Sequence, residues 1–218
     1  MTLKLVIGNK NYSSWSMRPW MALKAGGIDF EEIFIPLYTG TANKQRILDV
    51  SQSGKVPALI DGDVTVWDSL AIIEYVAEGF PEAHLWPEAR AARAHARSIS
   101  AEMHSGFAAL RNECGMNLHR PVKAKLLSEA ARADIARVQE IWTDCRTRYG
   151  AQGPYLFGAF SAADAMYAPV VHRFRTYAID IVPAVSEYMA TIRAQPAFAA
   201  WTAAALDETI VIERFETD

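Results

Sequence analysis

The segment Val56-Pro57-Ala58-Leu59-Ile60-Asp61-Gly62-Asp63-Val64-Thr65-Val66-Trp67-Asp68-Ser69-Leu70-Ala71-Ile72-Ile73-Glu74-Tyr75 decides how this chain folds. Two short apolar, β-branched runs flank Asp61-Gly62-Asp63, where glycine supplies the positive φ of a tight hairpin turn. Asp68-Ser69 then opens a helical pattern with Leu70, Ile73, Tyr75 and Val76 as apolar positions. The segment therefore reads β-β-α. Upstream, residues 3–7 are a short buried strand closed by Gly8. Residues 14–25 follow as a helix that Gly26-Gly27 ends, with Pro19 tolerated if it lies in the first turn. Residues 30–36 form a second strand, which the β-α-β connection makes parallel to the first. Residues 37–53 are looser, with a short helix near 43–48.

Downstream, Phe80-Pro81-Glu82-Ala83-His84-Leu85-Trp86-Pro87 is a proline-punctuated bridge. Beyond it strand signals vanish, and helices are expected over residues 89–112, 123–149, 162–177, 185–194 and 197–204. The expected organisation is an α/β domain over residues 1–80 and an all-helical domain over residues 88–218. The 218 residues are 51% hydrophobic and 22% charged, a composition that builds a core and excludes disorder. Net charge is -3 with no basic block, so neither nucleic acid nor an anionic membrane is an expected partner. The apolar start is far shorter than the roughly 20 residues of a membrane span. Cys114 and Cys145 lack C-x-x-C or metal-ligand spacing, which points to a reducing cytoplasm and to no metal site.

Four short motifs occur in a telling order. They are Asn11-Tyr12-Ser13-Ser14-Trp15-Ser16-Met17-Arg18, Lys55-Val56-Pro57-Ala58-Leu59, Asp68-Ser69-Leu70-Ala71-Ile72-Ile73-Glu74-Tyr75 and Phe160-Ser161-Ala162-Ala163-Asp164. Together they resemble the soluble glutathione S-transferases, over nearly the whole chain. The resemblance implies a thioredoxin-like β-α-β-α-β-β-α domain followed by an all-helical domain. It also implies glutathione as co-substrate, a small electrophile as second substrate, and a cytoplasmic homodimer.

Read without the resemblance, Ser13 and Ser14 are helix N-cap residues. The resemblance to serine-type members implies that a hydroxyl here donates to the glutathione sulfur, at a helix end that itself favours thiolate. Ser13-Ser14-Trp15-Ser16-Met17-Arg18 is similar to the zeta-class Ser-Ser-Cys-x-x-Arg, which makes Ser13 the first choice and Ser14 the second. Tyr12 lies too far along the chain to match the tyrosine-type members. Arg18 either orients the helix start or approaches substrate, a surface or interdomain salt bridge being the commoner fate of a lone arginine. The resemblance also implies a cis Val56-Pro57 bond presenting the Val56 backbone to glutathione, with Lys55 near its glycine carboxylate. Asp68 and Ser69 cap the following helix and, by resemblance, hold the γ-glutamyl ammonium and carboxylate. Ser161 and Asp164 form a structural capping box.

The second substrate is expected between the domains, where His104, Phe107, Ala108 and Arg111 fall on one face of the first long helix. For His104 alone a core or interface role is the commoner fate. His172, Arg173, Arg175 and Tyr177 form a second candidate wall. The first reading is a glutathione transferase that conjugates a small electrophile. The alternatives are a glutathione-dependent isomerase of the maleylacetoacetate type, and a glutathione-binding scaffold without turnover. Against the isomerase stand Trp15 in place of the zeta cysteine, and Arg111 and Thr176 in place of a zeta Gln and Arg. Peroxidase activity through glutathione's own thiol stays open, whereas dinucleotide and phosphate-loop motifs are missing.

Overall fold

A computed structural model describes residues 2–216. Its N-terminal part is a four-stranded mixed sheet with helices. β1 (Leu3–Ile7) leads through α1 (Ser14–Ala25) to β2 (Phe30–Phe34), and β1 and β2 pair in parallel as the β-α-β pattern requires. After α2 (Thr41–Val50), β3 (Ala58–Asp61) and β4 (Val64–Val66) form the expected hairpin, with Gly62 at φ 57. β3 pairs antiparallel to β1, Leu5 opposite Leu59, which gives the sheet order β2-β1-β3-β4. α3 (Ser69–Gly79) closes the β-β-α unit, and Ile72, Ile73 and Val76 bury its inner face. This is the thioredoxin-like architecture, followed by a helical part.

The helical part comprises α4 (Arg90–Ser105), α5 (Ala108–Glu113), α6 (Glu129–Tyr149), α7 (Ala162–Thr176), α8 (Pro183–Ala194) and α9 (Pro196–Leu206). α7 is its axis, buried along nearly all of its length, with Trp142 of α6 and Tyr188 of α8 packed at 4.8 Å between ring centroids. α1 lies against α7 and α9, so the helix that opens the first half is also core of the second. One apolar cluster runs from Leu5 and Met17 through Ala96 to Trp201.

Three expectations need correcting. The helix expected over residues 89–112 breaks at Gly106-Phe107 into α4 and α5. Gly106 lies so close to the Glu102 carbonyl that a Cβ there would approach it to 2.7 Å, and Phe107 adopts φ 57. The helix expected from residue 123 starts only at Glu129, capped by Ser128, whose hydroxyl accepts from the Ala131 N–H. Pro19 sits in the second turn of α1, where its missing N–H leaves the Trp15 carbonyl without its intrahelical donor.

Candidate functional site

The site is assembled where the N-termini of α1 and α3 meet the helical half. Ser13 is the N-cap of α1, and its Oγ accepts from the Ser16 N–H at 3.2 Å. The same hydroxyl donates to Ser16 Oγ at 2.8 Å, and Ser16 Oγ in turn accepts from the Gly8 N–H at 3.1 Å. Both roles of the Ser13 hydroxyl are thus taken locally. Ser14, one residue on, is held from across the molecule, because Arg173 Nη2 of α7 donates to its Oγ at 3.2 Å.

Arg173 is almost fully buried, and its Nη1 donates to the carbonyls of Arg111 and Cys114 at the end of α5. Arg18 is also fully buried. Its Nε donates to the Met166 carbonyl at 3.0 Å, its Nη1 lies 3.4 Å from the Ser14 carbonyl, and its guanidinium covers Trp15 at 4.4 Å. Neither interdomain cation has a carboxylate within ion-pair distance among the described residues. Burial, with the neighbouring arginines, lowers Arg18 to about 9. Burial lowers Arg173 to about 10, with Arg111 also opposing its charge. Among the described residues, Arg18 Nη2 and Arg173 Nε are buried without a hydrogen-bond partner.

Trp15 links the two helix starts. His104, in the last turn of α4, sets its ring edge-on to Trp15 at 5.5 Å and places Nε2 3.1 Å from Asp68 Oδ2. Asp68 caps α3 through Oδ1, 3.1 Å from the Leu70 N–H. Ser69 follows it, fully buried, with a hydroxyl that has no partner among the described residues. The Val56-Pro57 bond is cis, Pro57 is buried, and Lys55 is exposed.

The expected substrate walls come out differently. Arg111 bends back to the Met103 and His104 carbonyls at 3.3 and 3.1 Å, which closes the break after α4, and its guanidinium stands 5.3 Å from the Trp15 ring. Phe107 is buried in the core because the break turns it inward, so the four-residue stripe does not continue along one helix face. The second wall divides. Arg173 and Tyr177 serve the end of α5, Tyr177 through the Gly115 carbonyl at 3.1 Å. His172 stacks on Phe198 at 4.2 Å on the opposite side of α7, and with Arg175 and Arg193 lines a separate cavity of about 400 Å³. Burial, with those arginines, lowers His172 to about 3 and keeps it neutral. Thr176 is buried.

Tyr12 is engaged elsewhere: its hydroxyl donates to Glu216 Oε1 and accepts from the Ile212 N–H, while Glu208 holds the Lys10 and Asn11 N–H groups. The final segment, as far as residue 216, therefore folds back over the loop before α1. Residues 217–218 of that segment lie outside the described ones. Sequence reasoning passed over Ser16, although Ser13-x-x-Ser16 has the spacing of an N-cap and its N3 partner. Asp68 to His104 and Ser14 to Arg173 have no sequence signal, since each joins residues far apart in the chain.

Among the described residues no helix is long and apolar enough to cross a membrane. Cys114 and Cys145 are buried free thiols, pushed up to about 11 and about 12 by burial. Residues 12–78 match the profile of the glutathione S-transferase N-terminal domain, and residues 88–204 that of its C-terminal domain. Glutathione S-transferase Z2 of Arabidopsis thaliana is 29% identical over 204 residues, covering 87% of this chain and 88% of its own. Maleylacetoacetate isomerase of Rattus norvegicus is 31% identical over 179 residues, covering 78% and 77%. Among solved structures, a glutathione transferase homolog from Burkholderia gl BGR1 with bound glutathione superposes with a TM-score of 0.72. It is 25% identical and covers 95% of this chain and 100% of its own. With both halves matched in order on the fold described above, the chain belongs to the glutathione S-transferase family.

Proposed function

We propose that the chain is a glutathione-dependent transferase that conjugates glutathione to a small electrophile. The observation that carries this reading is the joining of two helix N-termini: Trp15 and His104 bridge Ser13-Ser14 at the start of α1 to Asp68-Ser69 at the start of α3. The residues present suit glutathione. The α3 N-terminus and the buried Ser69 hydroxyl, which has no partner among the described residues, suit a carboxylate, and the half-exposed Asp68 carboxylate suits an ammonium. Lys55 is exposed and free to meet a second carboxylate, and Val56 beside the cis Pro57 offers backbone groups for strand-like pairing. When bound, glutathione supplies the nucleophilic thiol. The serine pair contributes a hydroxyl donor at the positive end of α1, and both favour the thiolate over the thiol. Arg111 and His104 stand beside Trp15, where the electrophile is placed in this reading; Arg18, fully buried against the Trp15 ring, and Phe107 support that wall from the core.

Calorimetry with glutathione, together with a conjugation assay on a chlorodinitrobenzene, tests the proposal. Saturable binding with turnover is expected, and the absence of binding overturns it. A second reading, isomerisation of the maleylacetoacetate type, is favoured by the similarity to the rat and other isomerases. It requires turnover of maleylacetoacetate in an assay where the chlorodinitrobenzene is a poor substrate. Homodimerisation, with the first half of one subunit against the helical half of the other, is proposed on family grounds, and sedimentation of the purified chain as a monomer would overturn it.

A further inference from the structure

We propose that Ser14, rather than Ser13, gives its hydroxyl proton to the glutathione sulfur, and that Arg173 is the positioning residue that orients and polarises it across the domain interface. The inference rests on the glutathione-dependent reading above and deepens it.

A serine hydroxyl has one proton to give. That of Ser13 goes to Ser16 Oγ while its oxygen accepts the Ser16 N–H, so using it on a ligand means dismantling the cap of α1. Ser14 differs. Its oxygen accepts from Arg173 Nη2 at 3.2 Å, which directs its own proton away from the guanidinium, and that proton has no acceptor among the described residues. A hydroxyl that accepts from a cation is also a stronger donor, because hydrogen bonds in a chain polarise one another. Arg173 is itself fixed by the Arg111 and Cys114 carbonyls, so its charge cannot swing away.

The charge balance points the same way. Buried charges are costly unless paired, yet Arg18 and Arg173 are buried side by side with only carbonyls and one hydroxyl as partners. Three arginines of α1, α5 and α7 gather here: Arg173 donates to Ser14, Arg18 stands 3.4 Å from the Ser14 carbonyl, and Arg111 stands 5.3 Å from the Trp15 ring. Asp68, the N-cap of α3, is half exposed and placed beside His104 of α4. A thiolate on Ser14 would be the missing counter-charge of this cluster.

The test is the ultraviolet absorbance of the thiolate of glutathione bound to the full chain, titrated over pH, with affinity measured in parallel by calorimetry. Ser14→Ala is expected to raise the bound thiol's pKa by about one unit, which is about tenfold less thiolate below that pKa. Ser13→Ala is expected to raise it less than Ser14→Ala does. Arg173→Met is expected to raise it at least as much as Ser14→Ala, and Arg173→Lys, which keeps the charge, to restore most of the shift. A pKa unchanged in Ser14→Ala, or raised by Ser13→Ala alone, overturns the assignment while leaving glutathione binding intact. If Arg173→Met does not fold, Ser14→Ala and Arg173→Lys decide the matter. A wild-type chain that binds no glutathione instead removes the functional reading itself.

Discussion

Two of the serine-capped helices of this protein, α1 and α7, use the residue to opposite ends. At α7, Ser161 and Asp164 form a closed capping box. The Asp164 carboxylate accepts from the Ser161 N–H and hydroxyl, from the Leu156 N–H and from the Tyr188 hydroxyl, all between 2.8 and 3.1 Å. Every lone pair is used and nothing is left for a ligand. At α1, Ser13 closes its cap within one turn, but Ser14 keeps a proton to spare, and the arginines behind it lack an anion. A helix start with all its groups satisfied stabilises the fold; one that retains unpartnered polarity can do chemistry.

The largest effect should come from the closed box. Asp164→Ala strands several buried donors at once and is expected to cost on the order of 3–5 kcal/mol in denaturant unfolding. A loss under about 1 kcal/mol would mean that the box does not hold α7 in place. The same carboxylate gives a pH signature. Burial raises Asp164 from 3.8 to about 6, so the folded state binds its proton more tightly than the unfolded state does. That contribution to stability is complete below about pH 4 and is lost as pH rises through about 6, amounting to about 3 kcal/mol. Unfolding of the wild type and Asp164→Asn, compared across that window, should show the wild type losing stability relative to the variant as pH rises. A flat difference would show that the four hydrogen bonds offset the burial.

Next comes the open start. Ser14→Ala should reduce kcat/KM near neutral pH about tenfold, which is about 1.4 kcal/mol in the transition state. The smallest effect belongs to Ser13→Ala, which is expected to lower unfolding free energy by about 1 kcal/mol through the lost cap and to leave turnover nearly intact. If the two serines exchanged these outcomes, the contrast between a structural and a chemical serine would hold, but with the residues reversed.

Much of this was legible from local patterns. The hairpin around Gly62, the parallel β1 and β2, the Asp68 cap and the Ser161-Asp164 box each depend on residues a few positions apart or on one connection, and short-range patterns record such things. The break at Gly106-Phe107 was harder. The residues on either side have helical spacing, and only the closeness of Gly106 to the Glu102 carbonyl and the return of Arg111 to the α4 carbonyls terminate the helix there. His172 shows the same limit. It is one residue from Arg173 on a helix buried all round, so neighbours in sequence face opposite sides, one toward Phe198 and the other toward Ser14.

The amino-acid order alone thus determined most of the elements, their sequence and the serine caps at Ser13 and Ser161, because hydrogen bonds and apolar spacing within about one helical turn are written in adjacent residues. Which of the serines keeps a free proton was decided only by tertiary structure. Arg173 reaches Ser14 from 159 positions along the chain. His104 likewise meets Asp68 only after α4 has packed beside α3. Contacts over such separations depend on how whole helices pack, and no local pattern specifies them.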